Sequence, residues 1–265
     1  MKKVLQISNG LALVSTIIIN YLSNTGAINN MTIGEVSRDL HSFFTPAGYA
    51  FAIWGFIYLL LIGFIIYQGR SLFVKVRDDE FVLKIGWWFV ISCVANSAWV
   101  ILWLYGYTGL SCVFIFLLLF SLLKIVLNND MELWDAPISV IAFLWWPFVF
   151  YSGWVTVASI ANVSSYLIKI EWGGFGMSEE AWTIFMIIVA LIINLIVTWS
   201  RNMREFALVG AWALIAIAYT NYEQELTIAY VAGGAALVLI ASSFSHAYIN
   251  RATNPMEKLK EHFSK

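Results

Sequence analysis

The sequence is poor in charged residues, cysteine and histidine. Only 12% of its 265 residues are Asp, Glu, Lys or Arg, about half of the roughly 25% that soluble domains carry. Fifteen basic and sixteen acidic residues give a net charge of −1, which excludes the basic surface of a nucleic-acid-binding protein. Two cysteines exclude a disulfide-stapled domain. Because the two cysteines and three histidines are scattered, we expect no metal site and no required cofactor.

Apolar residues dominate instead, at 61% of the chain, and the mean hydropathy is +0.79. Most of them fall into stretches long enough to cross a bilayer as helices. Since each stretch is apolar on all sides and none alternates like a barrel strand, we predict an all-α polytopic membrane protein in contact with the lipid bilayer. The eight stretches are 4–23, 46–68, 81–104, 109–127, 136–160, 181–200, 206–220 and 226–249.

The first stretch follows Lys2 and Lys3, as a cleaved signal peptide would. It is as long as a spanning helix, however, and no convincing cleavage site follows it. We therefore expect an uncleaved first helix.

The charge distribution supports eight spans. Thirteen basic residues fall on one side of the membrane, and two, Arg38 and Lys169, fall on the other. By the positive-inside rule, both termini are cytoplasmic in a multi-pass protein of the cell membrane. The thirteen are Lys2, Lys3, Arg70, Lys75, Arg77, Lys84, Lys124, Arg201, Arg204, Arg251, Lys258, Lys260 and Lys265. No Asp, Glu, Lys or Arg lies deep in a predicted span, which argues against an ion-coupled pump.

Two outer connections, 24–45 and 169–180, are long for a chain whose other connections are short. Long ordered loops often act as lids or binding elements. A solvated connector is the alternative, and the sequence leaves both open.

Three tryptophans share a depth in the predicted outer leaflet. At 1.5 Å per residue, Trp54 lies about 13 Å below the outer end of its span, and Trp99 and Trp154 lie about 9 Å below theirs. Either helix packing or an aromatic pocket for a flat apolar ligand accounts for this. The amides of Asn96 and Asn162 share helix faces with Trp99 and Trp154, where they either bond between helices or contact a ligand.

Three segments resemble the TspO/translocator-protein family of tryptophan-rich sensory proteins. Residues 45–58, TPAGYAFAIWGFIY, resemble the family's Pro-Pro-Gly-Trp-x-Phe-x-x-x-Trp-x-x-Leu-Tyr. Residues 96–99, NSAW, resemble its Asn-x-x-Trp. Residues 154–158, WVTVA, followed by Asn162, resemble its Trp-Val-Thr-Phe-Ala-x-x-x-Asn.

The chain also departs from the family pattern. Ala47 stands in place of the second family Pro, Tyr49 replaces Trp, and Pro147 lies three residues before the expected position. The segment 181–249 has no counterpart in five-helix members. We therefore predict a five-helix unit at 1–168, three additional spanning helices within 169–250 and a short charged tail at 251–265.

The resemblance implies a membrane receptor that binds a porphyrin or another hydrophobic small molecule within the five-helix unit. Transport of such molecules, light-dependent porphyrin degradation and a homo-oligomeric state remain alternatives or additions. No catalytic residue is assigned. The residues that the resemblance assigns to the ligand are Tyr49, Trp54, Asn96, Trp99, Trp154 and Ala158.

Overall fold

A computed structural model describes residues 1–76, 79–251 and 255–263. Arg77 and Lys265, two of the basic residues in the charge argument, lie outside the described residues, as do 252–254 and 264–265 of the predicted tail. Within the described part, the regular structure is helical and no strand occurs. The prediction of an all-helical protein is confirmed.

The chain folds into eight long helices and three short ones over the described residues. Helix α3 begins with a 3₁₀ turn, Gly48–Ala52, and α7 contains a π-helical turn, Ile141–Trp145. The helices are α1 Lys2–Ser23, α2 Ile33–Asp39, α3 Gly48–Leu72, α4 Phe81–Ile85, α5 Trp88–Leu104, α6 Thr108–Asn128, α7 Ile138–Lys169, α8 Glu179–Arg201, α9 Arg204–Asn221, α10 Leu226–Ile249 and α11 Pro255–Phe263.

Six of these helices, α1, α3, α6, α7, α8 and α10, are long and apolar enough to cross a membrane. The protein is therefore a multi-pass membrane protein. The predicted count of eight spans is not confirmed by length and composition. Helix α5 has only 17 residues, and α9 opens with Arg204 and Glu205.

The third and fifth predicted stretches differ from the helices observed. The stretch 81–104 is broken at Gly86, whose φ of 56° lies in the left-handed region that glycine tolerates best. The stretch 136–160 continues as helix to Lys169. The sequence hid this extension because Asn162, Ser164 and Ser165 are polar and interrupt the apolar stretch, whereas all three residues are buried in the structure.

Hydrogen bonds between connections define the two ends of the bundle. At one end, here called the loop end, Asn29 Nδ2 donates to Leu104 O over 2.8 Å, and Asn221 Nδ2 donates to Phe43 O over 2.9 Å. At the other end, the terminal end, Lys2 pairs with Asp79 over 2.7 Å. Together with the hydrogen bond from Lys169 Nζ to Gly106 O, these contacts gather the long 24–45 connection and the α5–α6, α7–α8 and α9–α10 turns at the loop end.

The packing order joins the predicted five-helix unit to the last helices. Helix α5 lies between α1 and α6, α6 packs on α7, and α7 packs on α9, which contacts α8 and α10. Gly153 permits the close approach of α7 to α9, since a Cβ there would lie 3.1 Å from Phe206 O and 3.2 Å from Val209 Cβ. The last helices therefore contribute to the same core as the first ones.

Candidate functional site

An indole cluster lies in the half of the bundle nearer the loop end, centred on Trp54 of α3. Its ring centroid is 6.2 Å from that of Trp99 on α5 and 6.4 Å from that of Trp154 on α7. Tyr58 stacks on Trp54 at 5.7 Å, and Tyr151 meets its face edge-on at 5.7 Å. Three helices thus bring the three tryptophans of matched predicted depth into one cluster. Such ring pairs favour offset or edge-to-face geometry.

Asn162 fixes the orientation of one of these rings. Its Oδ1 accepts a 2.6 Å hydrogen bond from Trp99 Nε1, and its Nδ2 donates to Ser111 Oγ over 2.9 Å. The amide thereby links α7 to α5 and α6. A buried amide requires such partners because an unpaired polar group in an apolar interior costs free energy. Asn162 bonds between helices and also lines the crevice beside the cluster.

A cavity of about 790 Å³ opens beside the indole cluster, between α1, α2 and the start of α3. Asn20 and Asn24 border it from α1, Arg38 from α2, and Trp54 and Tyr58 from α3. The volume falls in the ~300–1,000 Å³ range of small-molecule sites.

A narrow crevice of about 40 Å³ adjoins this cavity. The two spaces share Ile33, Pro46 and Trp54 among their walls. The crevice extends to the rings of Trp99 and Trp154 and to Ala158. Trp54 therefore lies between the larger cavity and the narrow aromatic crevice.

The structure brings together four of the six residues that the resemblance assigned to the ligand. Trp54, Trp99, Trp154 and Ala158 all line the crevice. Tyr49 lies elsewhere. Its side chain is 42% exposed, with its ring 5.3 Å from that of Trp212 on α9. Because Tyr49 belongs to the 3₁₀ turn that opens α3, it does not follow the α-helical register of Trp54.

Asn96 is the second assigned residue that lines neither space. It is fully buried, accepts a 2.7 Å hydrogen bond from Asn20 Nδ2 and donates to Tyr151 Oη over 2.9 Å. Tyr151 in turn meets the face of Trp54. Asn96 thus holds Tyr151, which packs on Trp54, and does not line the crevice itself. This corresponds to the alternative in which its amide bonds between helices.

Three buried donors in these walls have no hydrogen-bond partner among the described residues. They are Trp54 Nε1, Trp154 Nε1 and Tyr58 Oη. Since the great majority of buried polar groups are paired, such unpaired donors are unusual. They are groups that a ligand carrying acceptor atoms would satisfy.

Helix α2 covers the cavity. A capping box begins it, in which Thr32 Oγ1 accepts from Glu35 N over 3.2 Å and the Glu35 carboxylate accepts from Thr32 N over 2.7 Å. The bonds from Thr32 lower the pKa of Glu35 below its usual value. Trp103 Nε1 then donates to Ile33 O over 3.3 Å and ties α2 to α5. The long outer connection is ordered here and forms a wall of the cavity.

Several residues of this site escaped the sequence reasoning. Tyr58 follows Trp54 by four residues, and Trp103 follows Trp99 by four, so helical spacing alone could have identified both. Arg38 and Asn20 carried no such signal, because they reach the cavity from a loop helix and from another span.

A second cluster of ionisable groups lies at the terminal end. Glu132, in the α6–α7 connection, faces Glu205 and Arg204 at the start of α9, where Arg204 Nε lies 3.3 Å from Glu205 Oε1. Burial, and then the charge of Glu205, raises the pKa of Glu132 to about 8, against the opposing effect of Arg204. Asn202 Nδ2 holds the backbone of Glu132 through a 3.0 Å bond to its carbonyl.

Comparison with known proteins identifies the family but no individual relative. The family described as "TSPO-like protein" matches residues 6–245. The matched segment runs past residue 168 and includes α8, α9 and nearly all of α10. No curated protein and no solved structure matches the chain. Because the family match covers far more than half of the sequence and the chain is all-helical and multi-pass, this protein belongs to the TSPO-like family.

Proposed function

We propose that the protein binds a flat hydrophobic ligand of the porphyrin class in the cavity and crevice at the loop end. The observation that supports this most is the indole cluster: Trp54 has two further indoles within 6.4 Å and borders both spaces. Ring stacking supplies contact area and orientation for a conjugated macrocycle. The cavity volume of about 790 Å³ lies within the ~300–1,000 Å³ range of small-molecule sites.

Tryptophan fluorescence tests this proposal. Protoporphyrin titrated into the purified protein should quench the indole emission and saturate. The Trp54→Ala, Trp154→Ala double variant should lose most of this affinity, because two of the walls are removed. A matched control, Trp87→Ala with Trp134→Ala, removes two half-exposed indoles away from the cluster and should bind as the wild type does. Unchanged affinity in the first double variant would contradict the assignment.

The membrane topology is part of the same proposal. All eight long helices cross the cell membrane, and both termini are cytoplasmic, so the ligand enters from the outer side. The positive-inside distribution of the basic residues supports this orientation. The short α5 and the charged start of α9 are compatible with crossing because each packs between other helices.

A further inference from the structure

The polar groups left unpaired around the site are donors. Trp54 Nε1 and Tyr58 Oη, in the cavity wall, and Trp154 Nε1, in the crevice, are buried without a partner among the described residues. An indole N–H can only donate, and a phenol can donate. A ligand that forms hydrogen bonds with these three donors must therefore present acceptor atoms.

The exposed edge of the cavity, here called its mouth, carries a cation, Arg38, whose charge also acts on Glu35. Arg38 lines the cavity, and none of the described residues that line it is acidic. The guanidinium of Arg38 makes no hydrogen bond or ion pair within the described part of the chain and is exposed. The nearby carboxylate of Glu35 is engaged by Thr32 in the capping box, with bonds of 2.7 and 2.8 Å.

Most of the charged residues around Arg38 at the loop end are acidic. The described residues of the loop end carry seven acidic side chains and, besides Arg38, one basic residue, Lys169, whose Nζ donates to Gly106 O. The carboxylates of the loop end repel an anion, whereas Arg38, which lines the cavity, attracts one. The seven acidic residues are Glu35, Asp39, Glu171, Glu179, Glu180, Glu223 and Glu225.

We infer that the ligand is an organic anion, a flat apolar body with a carboxylate at its rim, and that Arg38 is the residue that selects the carboxylate. This inference rests on the proposed function and narrows its ligand class. The apolar body lies against the indoles, and the carboxylate meets the exposed guanidinium at the mouth. Arg is suited to this role because its planar fork matches a carboxylate with two parallel hydrogen bonds.

Two probes that differ only in charge test the inference. Protoporphyrin IX and its dimethyl ester share the macrocycle, but the ester lacks both carboxylates. Each is titrated into the full-length protein in nanodiscs of zwitterionic lipid, and the change in Kd between variant and wild type is taken for each probe separately. This comparison removes the difference in lipid partitioning between the probes.

The Arg38→Gln variant should weaken binding of the diacid by up to about fivefold, the upper end for an exposed ion pair, and leave the ester unchanged. Lys169→Gln, which removes the other basic residue of the loop end, should change neither. Added NaCl should reduce the loss of diacid affinity caused by Arg38→Gln, because salt screens an exposed pair, and should not change the result for the ester.

Equal losses for both probes in Arg38→Gln, or a loss of diacid affinity that added NaCl does not reduce, would overturn the role of Arg38 while the proposed pocket stands. Saturable binding of the ester by the variant also shows that it is folded. Failure of the wild type to bind either probe would overturn the proposed function itself, and with it this inference.

Discussion

At the scale of single residues, the protein keeps polar groups inside an apolar bundle by pairing them across helices. Asn162 and Asn96 each join two other elements. The sequence could indicate that these amides need partners, because an isolated amide in an apolar interior is costly. It could not name the partners, since Asn20 and Ser111 lie on helices whose mutual rotation only the packed structure defines.

The Glu132 carboxyl makes stability depend on pH. Its pKa is raised from the ordinary 4.5 to about 8, so the folded protein holds this proton more tightly than the unfolded chain does. Between these values unfolding releases the proton, and the free energy of unfolding therefore falls as the pH rises from about 4.5 to about 8. The groups around Glu132 are Glu205, Arg204, Asp135, Arg201 and His246.

Thermal unfolding in detergent at a series of pH values measures this effect. The Glu132→Gln variant should flatten the decline of the melting temperature between pH 5 and pH 8, because its amide does not titrate. Asp130→Asn, which removes an exposed carboxylate from the same connection, should retain the wild-type slope. A Glu132→Gln profile as steep as that of the wild type would disprove the assignment.

At the scale of elements, helix α9 holds the segment that leads into α3. Three of its groups reach that segment: Ala216 O accepts from Ala47 N over 3.2 Å, Trp212 Nε1 donates to Ala50 O over 3.2 Å, and Asn221 bonds to Phe43 O. This arrangement explains why Tyr49 turns toward α9. The family motif in the sequence predicted the start of α3. It did not predict that α9 holds this segment by hydrogen bonds, because α9 is about 160 residues away along the chain.

Removing one of these hydrogen bonds should make the segment 43–52 open more often. The Trp212→Phe variant keeps an aromatic ring against Tyr49 but cannot donate to Ala50 O. We expect amide hydrogen exchange across 43–52 to accelerate severalfold, as expected for a loss of roughly 1 kcal/mol. Trp199→Phe, which loses a comparable bond to Ser242 Oγ at the terminal end, should leave exchange in this segment unchanged. Equal exchange in both variants would show that α9 does not brace the segment.

At the scale of the whole molecule, the length and pattern of the apolar stretches predicted an all-helical multi-pass protein, and the described structure is all-helical with six helices long and apolar enough to cross a membrane. The family resemblance is confirmed as well. The division into 1–168 and 169–250 stays a prediction, although α7 and α9 share a core at Gly153. Sequence periodicity could not show that contact, because both helices are apolar on most faces and give no sign of which face meets which.

The eight-span topology predicts which connections are accessible from outside the cell. A single cysteine placed at Gly173 or Gln224, in the α7–α8 and α9–α10 connections, should react with a membrane-impermeant thiol reagent on intact cells. A cysteine at Lys75, beyond α3, should react only after permeabilisation. Labelling at Gly173 but not at Gln224 would mean that only one of α8 and α9 crosses.

Helix α9 begins among Glu132, Arg204 and Glu205 and ends at the backbone of Phe43, beside the cavity. A single continuous helix of 18 residues therefore joins the two ends of the bundle. Linkage requires reciprocity between sites that bias the same element. If occupancy of the cavity changes the position of α9, then the proton affinity at the terminal end changes by the same coupling free energy, and ligand titration at fixed pH would release or take up protons.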